Sequence, residues 1–238
     1  MYKRVLLKIS GEIFGNQGLG LELGNPKSAV DRVAKIIQDV HKNTNVEMAV
    51  VVGAGNLFRA RYVAGTSVDH VVADQIGMLG TLMNALALQE AMERMGNNTR
   101  VMSAIQANVV CEPYIRRRAM RHMEKGRIVI LGGGTGNPYC TTDFASALRA
   151  VELKCNVILK ASNVDAIYDK DPRKYRDAKK LENITYQYAL EKGLKIMDST
   201  AFALCQDEGV PIVVFNFDKP ENIEKIIKGE RIGTLIQQ

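Results

Sequence analysis

Two spacings of apolar residues alternate along this chain. Short, almost unbroken apolar or β-branched runs occupy Val5 to Ser10, Met48 to Gly53, Arg127 to Leu131, Asn156 to Lys160 and Ile212 to Phe215, with a weaker one from Thr99 to Met102. Runs of this length without polar alternation predict strands buried on both faces. Between them, apolar positions recur every three or four residues. Val30, Val33, Ile36 and Ile37 share one face of a helix predicted from Pro26 to Val40, with Pro26 suited to the first turn. Val68 to Met95 predicts a long, nearly uncharged helix, rich in Leu, Met and Ala and buried over much of its surface. Further helices are predicted at Ile115 to Lys125, Asp143 to Lys154, Tyr186 to Lys192, Ser199 to Glu208 and Glu221 to Lys228. Strands alternating with helices predict an α/β protein, a three-layer α/β/α sandwich around a mostly parallel central sheet. No linker, repeat or composition break divides residues 1–238, so a single domain is expected.

Composition narrows the classes without choosing one. The chain has 238 residues, of which 46% are hydrophobic and 24% charged, enough for a sizeable core. Its formal charge of +6 suits anionic metabolites and nucleic acid alike. Cys111, Cys140, Cys155 and Cys205 form no C-x-x-C pair, and the histidines lie far apart, so neither a disulfide scaffold nor a metal site is expected. The N-terminus returns to charge at Lys8, too soon for the apolar region of a signal peptide. No unbroken apolar run approaches the roughly 20 residues of a membrane span. A cytoplasmic protein with no membrane partner is the expectation.

Candidate chemistry gathers where strands end. In "LLKISGE" an apolar strand carries Lys8 into Ser10 and Gly11. A lysine inside such a strand is costly unless its ammonium reaches an anion or water, so Lys8 either spans phosphates or snorkels to solvent. In "AVVVGAGNLFRAR", Gly53, Ala54 and Gly55 follow a second strand and precede Arg59. Such a turn is either a nest of N–H groups beside a phosphate-gripping arginine or an ordinary tight connection. "RIVILGGGTGNPYCTTD" runs a third strand into three glycines, yet matches neither the P-loop nor the dinucleotide fingerprint. Asp74, inside the long apolar helix, either pairs locally or accepts hydrogen bonds from a ligand's sugar.

These segments, with "VILKASNVDAIYDKDP" and "MDSTAFALCQD", stand in an order and spacing that resembles the bacterial uridylate kinases of the amino acid kinase superfamily. The resemblance runs from Lys3 to about Ile236, and GTGNP-x-x-TTD is its most specific motif. It implies the amino acid kinase fold and an enzyme that phosphorylates UMP with ATP, in the synthesis of UTP and CTP. By the same resemblance Thr135, Gly136, Asn137, Pro138, Tyr139, Cys140, Thr141 and Thr142 wrap UMP, Ala54 faces its phosphate, and Asp74 binds its ribose. Lys8, Ile9, Ser10 and Gly11 match the ATP phosphate turn, assisted by Gly55 and Arg59. Ser162, Asn163, Tyr168 and Asp171 match the adenosine side, although Asp165, Asp169 and Asp171 read equally as a solvated turn. Lys8, Asp143 and Lys160 are the implied catalytic groups, with Asp143 orienting the lysine. Ala54 stands where a glycine is usual and Cys140 where a bulky aromatic is usual; Ser162-Asn163 also differs from some relatives.

Phosphoryl transfer to an already ionised phosphate needs positioning and charge neutralisation, with no general base. No carboxylate cage is evident, so Mg²⁺ is expected to come with ATP. The basic stretch "YIRRRAMRHMEKGR" reads as a solvated helix face. The family resembled is hexameric and responds to GTP and UTP; within it Arg100 and Arg127 match an effector site. A kinase of a small carboxylic acid would need a cation where the uracil should sit, and GTGNPYCTT has none. A nucleic-acid-binding or nucleotide-sensing regulator is the other alternative; scarce aromatics speak against nucleic acid as a partner.

Overall fold

A computed structural model describes the chain except at residues 16–18, 26, 60–62, 64, 163, 171, 173 and 195. The long strands are β1 (Arg4–Ile9), β2 (Glu47–Val52), β3 (Thr99–Ser103), β5 (Ile128–Gly132), β6 (Val157–Ser162) and β10 (Ile212–Asn216), each inside or within two residues of its predicted run. Short strands β4 (Glu112–Pro113), β9 (Asn183–Thr185) and β11 (Thr234–Gln237) complete a nine-stranded sheet in the order β4-β3-β5-β2-β1-β6-β10-β11-β9. All neighbours are parallel except β10 and β11. A separate antiparallel ribbon joins β7 (Ile167–Tyr168) to β8 (Lys180–Leu181). Periodicity missed β4, β7, β8, β9 and β11, because segments of two to four residues carry almost no pattern.

Among the described residues seven α-helices flank the sheet: α1 (Ala29–Thr44), α2 (His70–Arg94), α3 (Arg116–Glu124), α4 (Thr142–Glu152), α5 (Tyr186–Glu191), α6 (Ser199–Asp207) and α7 (Glu221–Lys228). Helix α1 starts later than predicted because Ser28 caps it, accepting from the Asp31 N–H. Pro26 lies outside the described residues. The two layers follow from strand alternation. On β1, Val5, Leu7 and Ile9 pack under α1, α2 and α7, whereas Leu6 faces α3, α4 and α6. Lys8 alternates with Val5, Leu7 and Ile9, so its side chain belongs to the α4 side.

Helix α2 spans 25 residues and is long and apolar enough to cross a membrane by length and composition alone. Here it is a core helix: Ala85, Leu88, Ala91 and Met92 are buried against the sheet. From β1 the chain builds one half of the sheet through β2, β3, β4 and β5. It then crosses back to β6 on the other side of β1. The carboxyl ends of β1 and β6 therefore flank the point where strand order reverses, the usual ligand crevice of an open α/β sheet.

Candidate active site

Parallel pairing of β1 with β6 places Lys8 directly opposite Lys160. Two ammoniums side by side in a buried layer repel, and an anion between them is the physical remedy. Asp143 supplies it from the first turn of α4, where the helix N-terminus also favours a carboxylate. Its Oδ2 accepts from Lys160 Nζ at 2.6 Å, and its Oδ1 lies 2.9 Å from Lys8 Nζ. The Lys8 contact lacks hydrogen-bond alignment, so Oδ1 is held by charge alone. Burial pushes the Asp143 carboxyl up, but the Lys8 and Lys160 charges outweigh it and hold it below the usual carboxylate range. Burial lowers the Lys160 pKa, Asp143 pulls it back up, and Lys8 pushes it down again. Lys160 also donates to the Ile196 carbonyl at 2.5 Å. With both lysines charged, two cations face one carboxylate, and the cluster carries one net positive charge.

The two glycine turns touch through bare backbone. A Cβ on Gly11 would stand 2.2 Å from the Gly55 nitrogen and 2.7 Å from the Ala54 carbonyl carbon. Glycine is required at position 11 for this approach, since its φ is not positive. Ala54 also has no positive φ, so its methyl is tolerated in the turn. Gly80 on α2 makes room for that methyl, because a Cβ there would come 2.9 Å from the Ala54 Cβ.

Helix α2 pins the second and third glycine loops. Asn84, fully buried, donates to the Gly53 carbonyl at 2.7 Å and exchanges amide hydrogen bonds with Asn56. Thr81 Oγ1 accepts from the Gly133 N–H at 2.8 Å. In the third loop Gly133, Gly134 and Gly136 all take positive φ, and a Cβ on Gly136 would press on the Ala104 carbonyl oxygen at 2.9 Å. Thr135 Oγ1 accepts from the Asn137 N–H, and Pro138 leads to Tyr139, whose N–H donates to Asp74 Oδ2 at 2.7 Å. Thr141 caps α4 through the Phe144 N–H and also donates to Asp198, itself the cap of α6.

Between these walls lies an open cleft of about 280 Å³. Lys8, Ser10, Gly11, Ala54, Gly55, Arg59, Asp74, Cys140 and Thr142 line it; Asp143, Lys160 and residues 135–139 and 141 do not. Ile9 is buried and does not line it; its carbonyl accepts from the Gly53 N–H. Arg59 donates to the Gly55 carbonyl and pairs with Glu12. Ser162 ends β6, and Tyr168 sits on the β7–β8 ribbon with its hydroxyl on Asp165; neither lines the cleft. Asn163 and Asp171 lie outside the described residues.

Glu12, Asn56, Thr81, Asn84, Ile196 and Asp198 also build the site, and sequence reasoning singled out none of them. Polar residues at α2 positions otherwise apolar were the available signal for Thr81 and Asn84. Across the sheet, Glu112 gathers Arg100 at 3.6 Å, Arg118 at 3.6 Å and His122 at 3.2 Å, and His122 meets Arg127 at 2.9 Å. Arg100 and Arg127 thus share one patch, remote in the strand order from Lys8.

Known proteins match this architecture along its whole length. The profile of the amino acid kinase family matches residues 3–216. A uridylate kinase from Deinococcus radiodurans is 52% identical over 239 aligned positions, covering 100% of this chain and 96% of that protein. The crystal structure of a UMP kinase from Bacillus anthracis superposes with a TM-score of 0.93 at 38% identity, over 99% of this chain and 96% of that one. A UMP kinase from Ureaplasma parvum gives 0.88 at 32% identity, with 100% of both chains covered.

Proposed function

Because this chain belongs to the amino acid kinase family, we propose that its cleft transfers the γ-phosphoryl group of ATP to UMP, giving UDP and ADP on the route to UTP and CTP. The observation that carries this reading is the Lys8–Asp143–Lys160 cluster. It joins two ammoniums through one carboxylate at the carboxyl ends of two paired strands, and its Lys8 lines a cleft walled by glycine turns.

A UMP phosphate oxygen, ionised at neutral pH, forms the bond to the γ-phosphorus while the bond from that phosphorus to the bridging oxygen breaks. No proton is abstracted, so no base is needed. Asp143, locked between two ammoniums, is unsuited to that task and serves to aim them. Lys8 and Lys160 neutralise charge moving onto the bridging and equatorial oxygens, and the N–H groups of the turns at Gly11 and Gly55 assist. Among the described residues no group of three His, Cys, Asp or Glu could hold a metal ion; Glu12, which lines the cleft, pairs with Arg59, and Asp143 pairs with the two lysines. Mg²⁺ carried in with ATP would neutralise phosphate oxygens there. Thr135 to Thr142 and Asp74 take the acceptor, with Ala54 at its phosphate; Ile9, Ser10, Arg59, Ser162, Asn163, Tyr168 and Asp171 take ATP. We assign all of this to one domain, 1–238, in the cytoplasm.

Uracil presents carbonyl oxygens and one N–H, which the backbone of a Gly-rich loop can match without charge. CMP would turn an amino group toward a donor and leave both unpaired. In a coupled assay of ADP release with ATP and UMP, CMP, AMP, GMP, glutamate or carbamate, UMP is expected to be the only good acceptor. Efficient turnover of CMP or a carboxylate would overturn the assignment.

Oligomerisation is supported by the outer face of α2. Val72, Ile76, Leu79 and Met83 recur at helical spacing and are between 41% and 53% exposed. An apolar stripe of this kind marks an interface, and we assign it to contact between copies of this chain in a homohexamer. Leu79→Lys with Met83→Lys should lower the mass found by light scattering while far-ultraviolet circular dichroism stays native. An unchanged mass would remove α2 from the interface. GTP and UTP are assigned as effectors to the patch of Arg100 and Arg127, which with Arg118 sets three guanidinium groups around His122 and Glu112.

A further inference from the structure

The cleft face of α2 continues one turn beyond the residues that line it. Asp74, Gly77, Met78 and Thr81 face the cleft at helical spacing, and His70 stands four residues before Asp74 on the same face. Asp69 caps the helix through the Val71 and Val72 N–H groups, which fixes His70 as the first helical residue, one turn before the cleft-lining Asp74 and outside the lining itself. There its ring stacks on Tyr139 from the opposite wall, with centroids 4.7 Å apart and planes 20° from parallel. His70 Nε2 lies 3.3 Å from Asp74 Oδ2, the same oxygen that accepts from the Tyr139 N–H at 2.7 Å. Tyr139 holds φ of +63°, a conformation costly for a side chain larger than glycine, and the Asp74 bond and the ring stack are what repay it.

We propose that His70 is a positioning residue of the acceptor site: with Tyr139 it forms a clasp across the cleft mouth that holds Asp74 ready for the ribose of a nucleoside monophosphate. This rests on the assignment of the cleft to UMP. A ribose hydroxyl is a donor of the same kind as the Tyr139 N–H, so it can take that partner's place on Asp74. His70 keeps the carboxylate aimed while the exchange occurs, and the stacked rings shut the mouth over the sugar. The ribose hydroxyls, and not the base or the ATP phosphates, are what this clasp reads.

Four variants of the full-length protein test it: His70→Ala, His70→Gln, His70→Phe and Tyr139→Gly. His70→Ala should raise KM for UMP about five-fold, the worth of one close polar contact to Asp74, and leave kcat and KM for ATP within about two-fold. The ratio of KM for 2′-deoxy-UMP to that for UMP should fall, because the lost contact acts through the sugar. His70→Gln keeps a donor within reach of Asp74 at this helical spacing and should recover most of the UMP affinity; His70→Phe keeps only the ring and should not. Tyr139→Gly relieves the positive φ but removes the ring, so it should weaken UMP while leaving ATP unchanged. If His70→Ala matches the wild type for UMP, or shifts ATP and UMP equally, the clasp is overturned. Equilibrium dialysis with UMP separates the two assignments: a wild type that binds no UMP defeats the kinase reading itself, whatever His70 does. A lowered Tm for His70→Ala passes the decision to His70→Gln, whose failure to recover UMP affinity in a stable protein overturns the proposal.

Discussion

Lys8→Met is expected to cut kcat at least ~100-fold, a loss of about 2.7 kcal/mol of transition-state stabilisation. Methionine keeps an unbranched stem of similar length in a position only 9% exposed, so the strand packs as before. What disappears is the ammonium, whose charge matters most as negative charge moves onto the bridging oxygen of ATP. The variant also leaves Asp143 Oδ1 buried without its counter-charge, which costs about 1–3 kcal/mol. That is affordable within a stability of roughly 5–15 kcal/mol, so a folded protein with a lower Tm is expected. Nucleotide binding should weaken less than kcat falls, since the second ammonium remains 2.6 Å from Asp143. Asp143→Asn should cost less than Lys8→Met, and the double variant should fall well short of the sum, because one side chain aims the other. Stopped kinetics and calorimetry decide it. A folded Lys8→Met enzyme with near-native kcat would move the phosphate contact to Lys160.

Gly11→Ala should be as damaging through sterics alone. The added methyl meets only backbone, at 2.2 Å from the Gly55 nitrogen and 2.7–2.8 Å from Ala54 atoms, and no side chain can swing aside. The two turns must part, which costs about 1–3 kcal/mol of stability. They also carry the N–H groups assigned to both nucleotides, and a displacement near 1 Å costs on the order of 10²-fold in rate. A fall in kcat/KM of at least ~100-fold, with KM raised for ATP and UMP together, is the expected result. Gly77→Ala is the control. It adds a methyl to the same cleft, where nothing lies within 4 Å, and should stabilise α2 by about 0.5–1 kcal/mol. If Gly11→Ala kept native kcat/KM, the contact between the turns would have no part in catalysis.

Much of this protein is legible in its sequence for local reasons. An apolar run of β1 length and a three-four periodicity are properties of neighbouring residues, so long strands and helices were predicted nearly to their ends. The same holds for the chemistry of single segments: a lysine in an apolar strand, glycines after strands, an aspartate in an apolar helix.

Other features depend on residues far apart in the chain. That Lys8 lies opposite Lys160 follows from the register of β1 with β6, and hydrophobic patterning specifies a strand's face but not its neighbour. Asp143 becomes their shared anion only because α4, which follows β5 by a loop, packs on β1 and β6 and brings its first turn beside both lysines. The antiparallel edge of β11 was likewise invisible, since four residues carry no periodic signal and their direction is set by what they pair with. Thr81 and Asn84 looked like imperfections in an apolar helix until the loops they hold, at Gly133 and Gly53, were folded against them. A buried polar group is tolerable only with its partner in place, and that partner is supplied by tertiary structure.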